Sequence, residues 1–386
     1  MKIRLFTPGP TPVPEKVMNR MAEPILHHRT AEFSAVFSEA SEILKELFQT
    51  REDVYMLASS GTGAMEAAVA NLLNPGDNVL TIEGGKFGER WGELCEAYGV
   101  KATRRAVPWG KAFTPEEMAA ELAQKSDYKA VLMTHSETST GVAIDLEAIA
   151  RVVHENSNAL VIVDGITSVG AMPVRMDDWG LDVVVTGSQK GLMIPPGLAF
   201  IAVSQRAWSA VEACTQPRYY FDLRKARQSL KAQTTPFTPA VTLIVGLLEA
   251  LKMIRAEGVE AVWRRHALLA EATRRAVRAL GLELLADRPS NAVTAVRIPE
   301  ALLDVGLDKR LKEKGIIAAG GQAKLKGKIF RISHLGYYDV QDMLAAVSVL
   351  EEVLSESEWN FEPGSGVKTL QTTYLELLKN EADPQN

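Results

Sequence analysis

The stretch "VVVTGSQKGLMIPPG" (183–197) gives the clearest indication of how this chain folds. Its β-branched run predicts a buried strand that ends before Gln189, and a Gly/Pro-rich turn follows Lys190. Lysine is rarely buried, so Lys190 is either a solvated charge at a turn or an amine held ready for chemistry. At the end of a buried strand the amine would be partly desolvated, which lowers its pKa and makes it a usable nucleophile toward a carbonyl.

Similar apolar runs alternate with helical patterns through the first half of the chain. The apolar runs span residues 54–59, 78–82, 130–135, 160–164, 182–187 and 198–203, and the helical patterns span 32–48, 64–73 and 145–156. Strands that are apolar on both faces and alternate with helices are typical of a mostly parallel sheet covered by helices. Ligands of such sheets bind outside the carboxyl ends of the strands, where Ser60, Asp164 and Lys190 fall.

Composition excludes several classes of function. The 386 residues carry a net charge of −5 and no basic block, which argues against nucleic acid as a partner. No apolar run could span a bilayer, and the start "MKIRLFTPGPTPVP" lacks a signal-peptide stretch, so we expect no membrane partner and a cytoplasmic location. Cys95 and Cys214 lie far apart and predict neither a disulfide framework nor a metal site.

Two further motifs place polar groups after predicted strands. In "LASSGTGAMEAA" (57–68) a Ser/Gly turn leads into a helix. The free N–H groups and the dipole at the N-terminus of that helix favour binding of an anion. The alternative to an anion site is an ordinary strand–turn–helix connection. In "LVIVDGITSVG" (160–170) Asp164 ends a buried strand and must be paired or neutralised. It could cap or turn the following segment, or it could pair with a protonated ring nitrogen of a cofactor.

Together these features form a set: an anion-binding turn, a carboxylate and an amine that can form a Schiff base. Pyridoxal 5′-phosphate needs these parts from a protein. The order of "SSGTGAMEAA", "HSETSTGV", "VDGITSVG" and "TGSQKG" resembles the class V pyridoxal-phosphate-dependent aminotransferases, and most of all their alanine–glyoxylate, serine–glyoxylate and serine–pyruvate branch. Further matches are "TPGPTPVP", "HHRTAEF" (27–33), "TPFTPAVTL" (235–243) and "FRISHLG" (330–336), so the resemblance covers about residues 5–355.

The resemblance implies a role for each matching residue around the cofactor. Lys190 would hold pyridoxal 5′-phosphate as a Schiff base and shuttle a proton, and Asp164 would pair with the pyridinium nitrogen. Thr138 would approach the ring hydroxyl, and Phe87 would stack on the ring where some relatives have Trp. The phosphate would be bound by Ser60, Gly61, Thr62 and Gln189 of the same chain. Across a homodimer interface, Thr238 and Thr235 of the other chain would also bind it. Some relatives have Tyr where this chain has Thr235.

On the substrate side, the resemblance implies that Arg331 clamps the α-carboxylate with its planar fork, a structural ion pair being the alternative. Gly9 of "TPGPTPVP" would also lie at the substrate. No metal is expected.

The resemblance also implies an architecture, the pyridoxal-phosphate-dependent transferase type I fold. This is an α/β fold in which helices cover a mostly parallel seven-stranded sheet and a smaller α+β C-terminal domain follows. We divide the chain into an N-terminal arm (1–24), a large cofactor-binding domain (25–260), a small C-terminal domain (261–358) and a polar tail (359–386). Because the arm is Pro-rich and lacks periodicity, we expect it to lie extended on another part of the molecule.

The implied reaction is a ping-pong transamination between alanine or serine and glyoxylate or pyruvate. A 2-aminoethylphosphonate–pyruvate-type aminotransferase, or another class V enzyme, stays open as an alternative. A cysteine desulfurase or selenocysteine lyase needs a mobile cysteine on a late Gly/Ser-rich loop, and neither Cys95 nor Cys214 occupies one. Some relatives carry the label of hydrogenase subunits, but two scattered cysteines cannot ligate an iron–sulfur cluster, which takes about four thiolates. A non-catalytic interaction protein is disfavoured by the intact Lys190 and Asp164.

Overall fold

The computed structural model describes residues 2–382 of the chain. Its strands are β1 Arg4–Leu5, β2 Val54–Leu57, β3 Asn78–Glu83, β4 Lys101–Ala106, β5 Ala130–Thr134, β6 Ser136–Glu137, β7 Val142–Ala143, β8 Leu160–Asp164, β9 Val183–Gly187, β10 Ala199–Val203, β11 Val293–Arg297, β12 Ile316–Ile317, β13 Ala319–Gly320 and β14 Ile329–Ser333. Its helices are α1 Glu15–Met21, α2 Ala31–Phe48, α3 Gly61–Leu72, α4 Lys86–Ala97, α5 Pro115–Gln124, α6 Leu146–Asn156, α7 Gln205–Ala213, α8 Leu223–Lys231, α9 Val241–Glu257, α10 Val259–Ala279, α11 Leu307–Glu313, α12 Val340–Glu356 and α13 Ser365–Ala382.

The central sheet of the described chain has seven strands in the order β2-β10-β9-β8-β5-β3-β4. Strand β10 runs antiparallel to both of its neighbours, and the other pairs are parallel. The predicted α/β fold with a mostly parallel seven-stranded sheet is therefore confirmed. Because β10 lies between β2 and β9, the polar residues after β2 do not follow a strand adjacent to β9. They still reach the same edge, since β2 and β9 point in the same direction.

Strand β4 is the member of the sheet that the apolar runs did not indicate. Its sequence "KATRRA" is mostly exposed, although β2 at the opposite edge of the sheet is buried throughout. Charged residues on an exposed edge strand discourage pairing with another chain, and they leave β4 without an apolar run.

Helices cover both faces of the central sheet, and alternate residues of one strand face opposite layers. On β8, Val161 and Val163 pack with residues of α2, α5, α6 and α9. Leu160 and Ile162 belong to the other layer, which is formed with α3, α4, α7 and α8. Burial on both faces explains why the inner strands read as continuous apolar runs.

The C-terminal part contains an antiparallel sheet in the order β11-β14-β13. Its core gathers residues of α10, α11, α12 and β14, together with Phe6 from the N-terminal arm. Strand β1 of the arm pairs in parallel with β12, so the arm lies on the C-terminal part. This agrees with the expectation that the arm lies on another part of the molecule. The arm also contains helix α1, which the sequence did not indicate, because the buried face of α1 presents only Val17.

The segment that the sequence predicts to be a polar tail is largely the 18-residue helix α13. Leu370 is completely buried in the core of the C-terminal part, and Val367 and Tyr374 pack against that core. Most of the α13 side chains up to Asn380 are exposed or half-buried, which explains why its sequence resembles a tail. Within residues 2–382 no helix has the length and apolar character needed to cross a membrane.

Candidate active site

One cavity collects most of the residues that the sequence singled out. It has about 630 Å³ of empty volume and lies where β2, β8 and β9 end. Its walls include Gly9, Ser60, Gly61, Thr62, Phe87, Thr138, Asp164, Gln189 and Lys190. Thr235 and Thr238 line a different cavity, and Arg331 contacts the site through Thr138.

Lys190 lies in the tight turn after β9, with its side chain buried. The turn is closed by a 3.0 Å hydrogen bond from the Met193 N–H to the Lys190 carbonyl. The Lys190 amine donates to the carbonyl of Pro8 in the arm. Burial, together with the charge of Arg331, lowers its pKa to about 8 against the opposing charge of Asp164. Lys190 is therefore a buried amine that loses its proton more readily than an exposed lysine does. The alternative of a solvated turn lysine is wrong.

Gly9 allows the close approach between the arm and the lysine. Its φ is +139°, and a Cβ atom there would overlap the Nζ and Cε atoms of Lys190. Thr11 of the same arm donates its backbone N–H to the Gln189 carbonyl at 3.1 Å. The arm thus forms one wall of the lysine pocket.

Asp164 ends β8, and its carboxyl group is buried. Its Oδ1 accepts the Ile166 N–H at 2.8 Å, and its Oδ2 accepts the Thr134 hydroxyl at 3.4 Å. Burial raises its pKa to about 7, against the lowering effect of the Ile166 hydrogen bond and of the Arg90 and Lys190 charges. Asp164 therefore shapes the turn after β8, as one sequence alternative proposed, and it also faces the cavity.

The Ser/Gly turn becomes the N-terminus of α3, with Ser60 as the N-cap residue. The first backbone N–H groups of a helix have no acceptor within the helix, so those of Gly61 and Thr62 are available for an anion. A Cβ atom at Gly61 would lie 2.5 Å from Ile166 Cδ1, so this position accepts only glycine without a shift. In the described part of the chain, the buried Oε1 of Gln189 has no hydrogen-bond partner.

Arg331 lies on β14 with its fork held by backbone carbonyls. Its Nη1 donates to the Thr138 carbonyl at 2.8 Å, and its Nε and Nη2 donate to the Gly320 carbonyl at 3.1 and 2.8 Å. Burial lowers its pKa to about 10. No carboxylate of residues 2–382 lies within ion-pair distance of Arg331, so the alternative of a structural ion pair is wrong. Two of its five N–H groups remain for a ligand.

Glu137 is a residue at the site that sequence reasoning missed. Its buried carboxylate accepts the N–H groups of Phe87 and Gly88 at 3.1 and 2.8 Å. It also accepts the backbone N–H of Ser139 at 3.0 Å and the Ser139 hydroxyl at 2.5 Å. It therefore fixes the first turn of α4, which carries Phe87. The available signal was an acidic residue inside "HSETSTGV", directly after a buried strand.

Arg90 is a second residue at the site that sequence reasoning missed. It lies on α4 and lines the cavity beside Phe87. Arg90 belongs to the "GGKFGERWG" segment, but the sequence pattern does not predict that its side chain lies at the site.

Thr235 and Thr238 lie on a loop away from the Lys190 cavity. The Thr235 hydroxyl donates to the Phe237 carbonyl at 2.7 Å, and the neighbouring Thr234 accepts from Arg29 of the "HHRTAEF" segment at 2.7 Å. Tyr219 and Tyr220 stack beside Phe237 and are exposed. Within this one chain these threonines do not reach the site.

Residues 3–365 match the sequence profile of the family described as aminotransferase class V. The chain belongs to the class V aminotransferase family. The resemblance drawn from the motifs is therefore confirmed for the family.

Relatives of this class V aminotransferase carry differing names. A protein of Synechococcus sp. (strain PCC 6716) named soluble hydrogenase, small subunit, is 50% identical over 95% of this chain and 97% of its own length. The L-aspartate–glyoxylate aminotransferase of Paracoccus denitrificans is 37% identical, with 96% of each chain covered. The serine–glyoxylate aminotransferase of Methylorubrum extorquens is 36% identical, with 94% of each chain covered.

A solved structure extends the likeness to the fold of this class V aminotransferase. The alanine–glyoxylate aminotransferase from Nostoc sp. superposes with a TM-score of 0.87 at 29% identity, over 92% of this chain and 96% of that one.

Proposed function

We propose that this chain is a pyridoxal 5′-phosphate-dependent aminotransferase that moves an amino group between a small amino acid and a small 2-oxo acid. The observation that carries the proposal is a single cavity in which a buried amine, a buried carboxyl group and a helix N-terminus meet. These groups match the aldehyde, the ring nitrogen and the phosphate of that cofactor.

The residues present fit this cofactor. The first N–H groups of α3 have no acceptor within the helix, which leaves donors for the phosphate of that cofactor. Phe87 and Ile166 add apolar surface for an aromatic ring. The Thr138 hydroxyl would lie near the polar edge of that ring.

Each catalytic task falls to a residue of this chain. When bound, the cofactor would supply an electron sink for the pair released as the substrate loses its Cα proton. Lys190 Nζ would hold the cofactor covalently and, once displaced by the substrate amine, would move that proton. Asp164 would keep the ring nitrogen protonated through an ion pair. Arg331 would hold the α-carboxylate with its two free N–H groups, and Gly9 would leave room beside it.

The substrate pair that we propose is alanine or serine with glyoxylate or pyruvate. The glyoxylate enzymes among the relatives support glyoxylate as acceptor, and the Paracoccus relative adds aspartate to the donors to be tested. A 2-aminoethylphosphonate–pyruvate activity is the alternative, because a phosphonate could use the same arginine fork. A panel of these four donors against both acceptors decides between them; the proposal fails if only the phosphonate reacts.

The hydrogenase name of the Synechococcus relative finds little support in the residues of this chain. Within residues 2–382 no three His, Cys, Asp or Glu side chains lie together as a metal-binding group. Burial raises the pKa of Cys95 to about 12, which disfavours a thiolate. Cys214 contacts the carbonyls of Ala70 and Leu73.

We further propose a homodimer in which the 235–238 loop of each chain completes the phosphate site of the other. The exposed aromatic residues beside this loop support such a contact, since exposed apolar patches mark interaction surfaces.

The central experiment is reduction of the purified protein with borohydride. We expect a yellow protein whose absorption band disappears on reduction. The reduced cofactor should remain covalently attached to Lys190. Lys190→Ala should abolish transamination, whereas Lys86→Ala, which removes an amine engaged with Glu89 and Glu93 on α4, should not. A protein that stays colourless with added pyridoxal 5′-phosphate would refute the proposal.

A further inference from the structure

Arg90 lines the cavity and carries a positive charge, but it has no role in the function proposed above. It follows Phe87 by three residues on α4, and its guanidinium lies 5.1 Å from the centre of the Phe87 ring. Its Nη1 donates to the Thr62 hydroxyl oxygen at 3.0 Å. The side chain therefore spans from the aromatic wall of the cavity to the N-terminus of α3.

The guanidinium of Arg90 has no carboxylate partner among residues 2–382, unlike other cations nearby. Lys86 on the same helix pairs with Glu89 and Glu93, and Arg104 pairs with Glu83. Arg90 makes one hydrogen bond, to a neutral hydroxyl. A partly buried guanidinium with free N–H groups in a cavity calls for an anion.

The anion site at α3 otherwise has only neutral donors. Ser60, Gly61, Thr62 and Gln189 offer hydroxyl, backbone and amide N–H groups, and the loop residues proposed to come from a second chain are threonines. A phosphate monoester carries a charge of about −1.5 to −2 at pH 7. Neutral donors leave the net charge of the phosphate uncompensated, whereas a guanidinium brings an opposite charge and can bind a phosphate through two parallel N–H groups.

We propose that Arg90 is the charge-neutralising ligand of the phosphate group at the N-terminus of α3. This inference rests on the proposed function, because it takes the phosphate to be that of pyridoxal 5′-phosphate. Since the Thr62 oxygen accepts from Arg90, its own hydroxyl proton is directed elsewhere and can be donated to the phosphate. Arg90 would thus bind the anion and orient a second donor toward it.

The test compares two ligands that differ only in the phosphate. Cofactor-free wild type, Arg90→Met and Arg90→Lys are titrated with pyridoxal 5′-phosphate and with pyridoxal, following tryptophan fluorescence. We expect Arg90→Met to weaken binding of the phosphorylated ligand by about 10- to 100-fold and that of pyridoxal by less than about twofold. Arg90→Lys should recover part of the loss, because a charge is restored without the fork.

Lys86→Met is the matched control, since it removes a positive charge from the same helix outside the cavity. Its affinities for both ligands should equal those of the wild type. Equal losses for both ligands in Arg90→Met would overturn the proposal in favour of packing against Phe87. Unchanged cofactor affinity with a raised KM for aspartate alone would also overturn it, by assigning Arg90 to a substrate carboxylate.

Inorganic phosphate separates this inference from the proposed function. By calorimetry, the cofactor-free wild type should bind phosphate and Arg90→Met should bind it at least about tenfold more weakly. If Arg90→Met loses phosphate binding but the wild type never binds pyridoxal 5′-phosphate, the anion site is supported and the proposed function is rejected. Equal phosphate binding by wild type and Arg90→Met would overturn the role of Arg90.

Discussion

The amine of Lys190 illustrates how a single residue acquires reactivity from its surroundings. A lysine with an ordinary pKa of 10.5 is neutral at pH 7.5 in only about one molecule in a thousand. With the pKa lowered to about 8 by burial, about a quarter of the Lys190 amines are neutral at that pH. The neutral amine is the form that attacks a carbonyl.

The rate at which the cofactor-free protein reacts with pyridoxal 5′-phosphate should therefore depend on pH through Lys190. Because the reactive form is deprotonated, the rate should rise as pH rises from 6 and level off above about 8. Stopped-flow absorbance measures this rate, with Nα-acetyl-lysine as the reference amine. A profile that parallels the reference and still rises at pH 10 would contradict the lowered pKa.

Arg331 offers a second test at the scale of one residue. Arg331→Lys keeps the charge but loses the fork that contacts both Thr138 and Gly320. We expect KM to rise at least about tenfold for amino acid and 2-oxo acid alike, because both carry the carboxylate. Steady-state kinetics with each substrate varied check this. An unchanged KM would place the carboxylate clamp elsewhere.

At the scale of elements, Glu137 joins two segments that meet at the Lys190 cavity. Its carboxylate holds the first turn of α4 against the turn after β6, and the Thr138 carbonyl of the same turn accepts from Arg331 on β14. Burial raises the pKa of Glu137, and the hydrogen bonds from Ser139, Gly88 and Phe87 oppose that rise. One side chain thus sets the relative positions of α4, the 136–140 turn and Arg331.

Glu137→Gln should loosen this junction, because an amide has one acceptor oxygen where the carboxylate has two. We expect the free energy of unfolding to fall by about 1–3 kcal/mol, measured by urea denaturation. Glu93→Gln on α4 is the control, since its exposed ion pair with Lys86 contributes about 0–1 kcal/mol. Equal small effects of both substitutions would show that Glu137 does not hold the helix.

At the scale of the whole molecule, the proposed dimer makes each site dependent on two chains. If the 235–238 loop serves the other chain, Lys190→Ala on one chain and Thr238→Asp on its partner fall in the same site of a mixed dimer. The aspartate would repel the phosphate, so each variant alone should be inactive. A mixed dimer would hold one intact site and one doubly altered site.

Mixing the two inactive variants should therefore restore activity. Random exchange of subunits gives about half mixed dimers, each with one working site, and hence about a quarter of wild-type activity. Transamination assays after mild unfolding and refolding of the mixture provide the measurement. No recovery, with exchange verified by mass spectrometry, would argue that Thr238 serves its own chain or none.

The division of the chain into an arm (1–24), a large domain (25–260), a small domain (261–358) and a tail stays a proposal. Residues of α10 near Val262 pack in the core of the large part, whereas those near Leu269 pack in the C-terminal core. This long helix bridges both cores, so no break in composition marks a boundary.

The sequence by itself determined the mostly parallel sheet, the family and most of the predicted residues that line the cavity. These follow from local signals: apolar runs, turn residues and the position of a polar side chain at the end of a strand. Tertiary structure alone decided the insertion of β10 between β2 and β9, the seat of α13 in the C-terminal core, and the positions of Glu137 and Arg90. The reason is physical, because strand order, helix docking and the aim of a charged side chain depend on contacts between residues far apart in the chain.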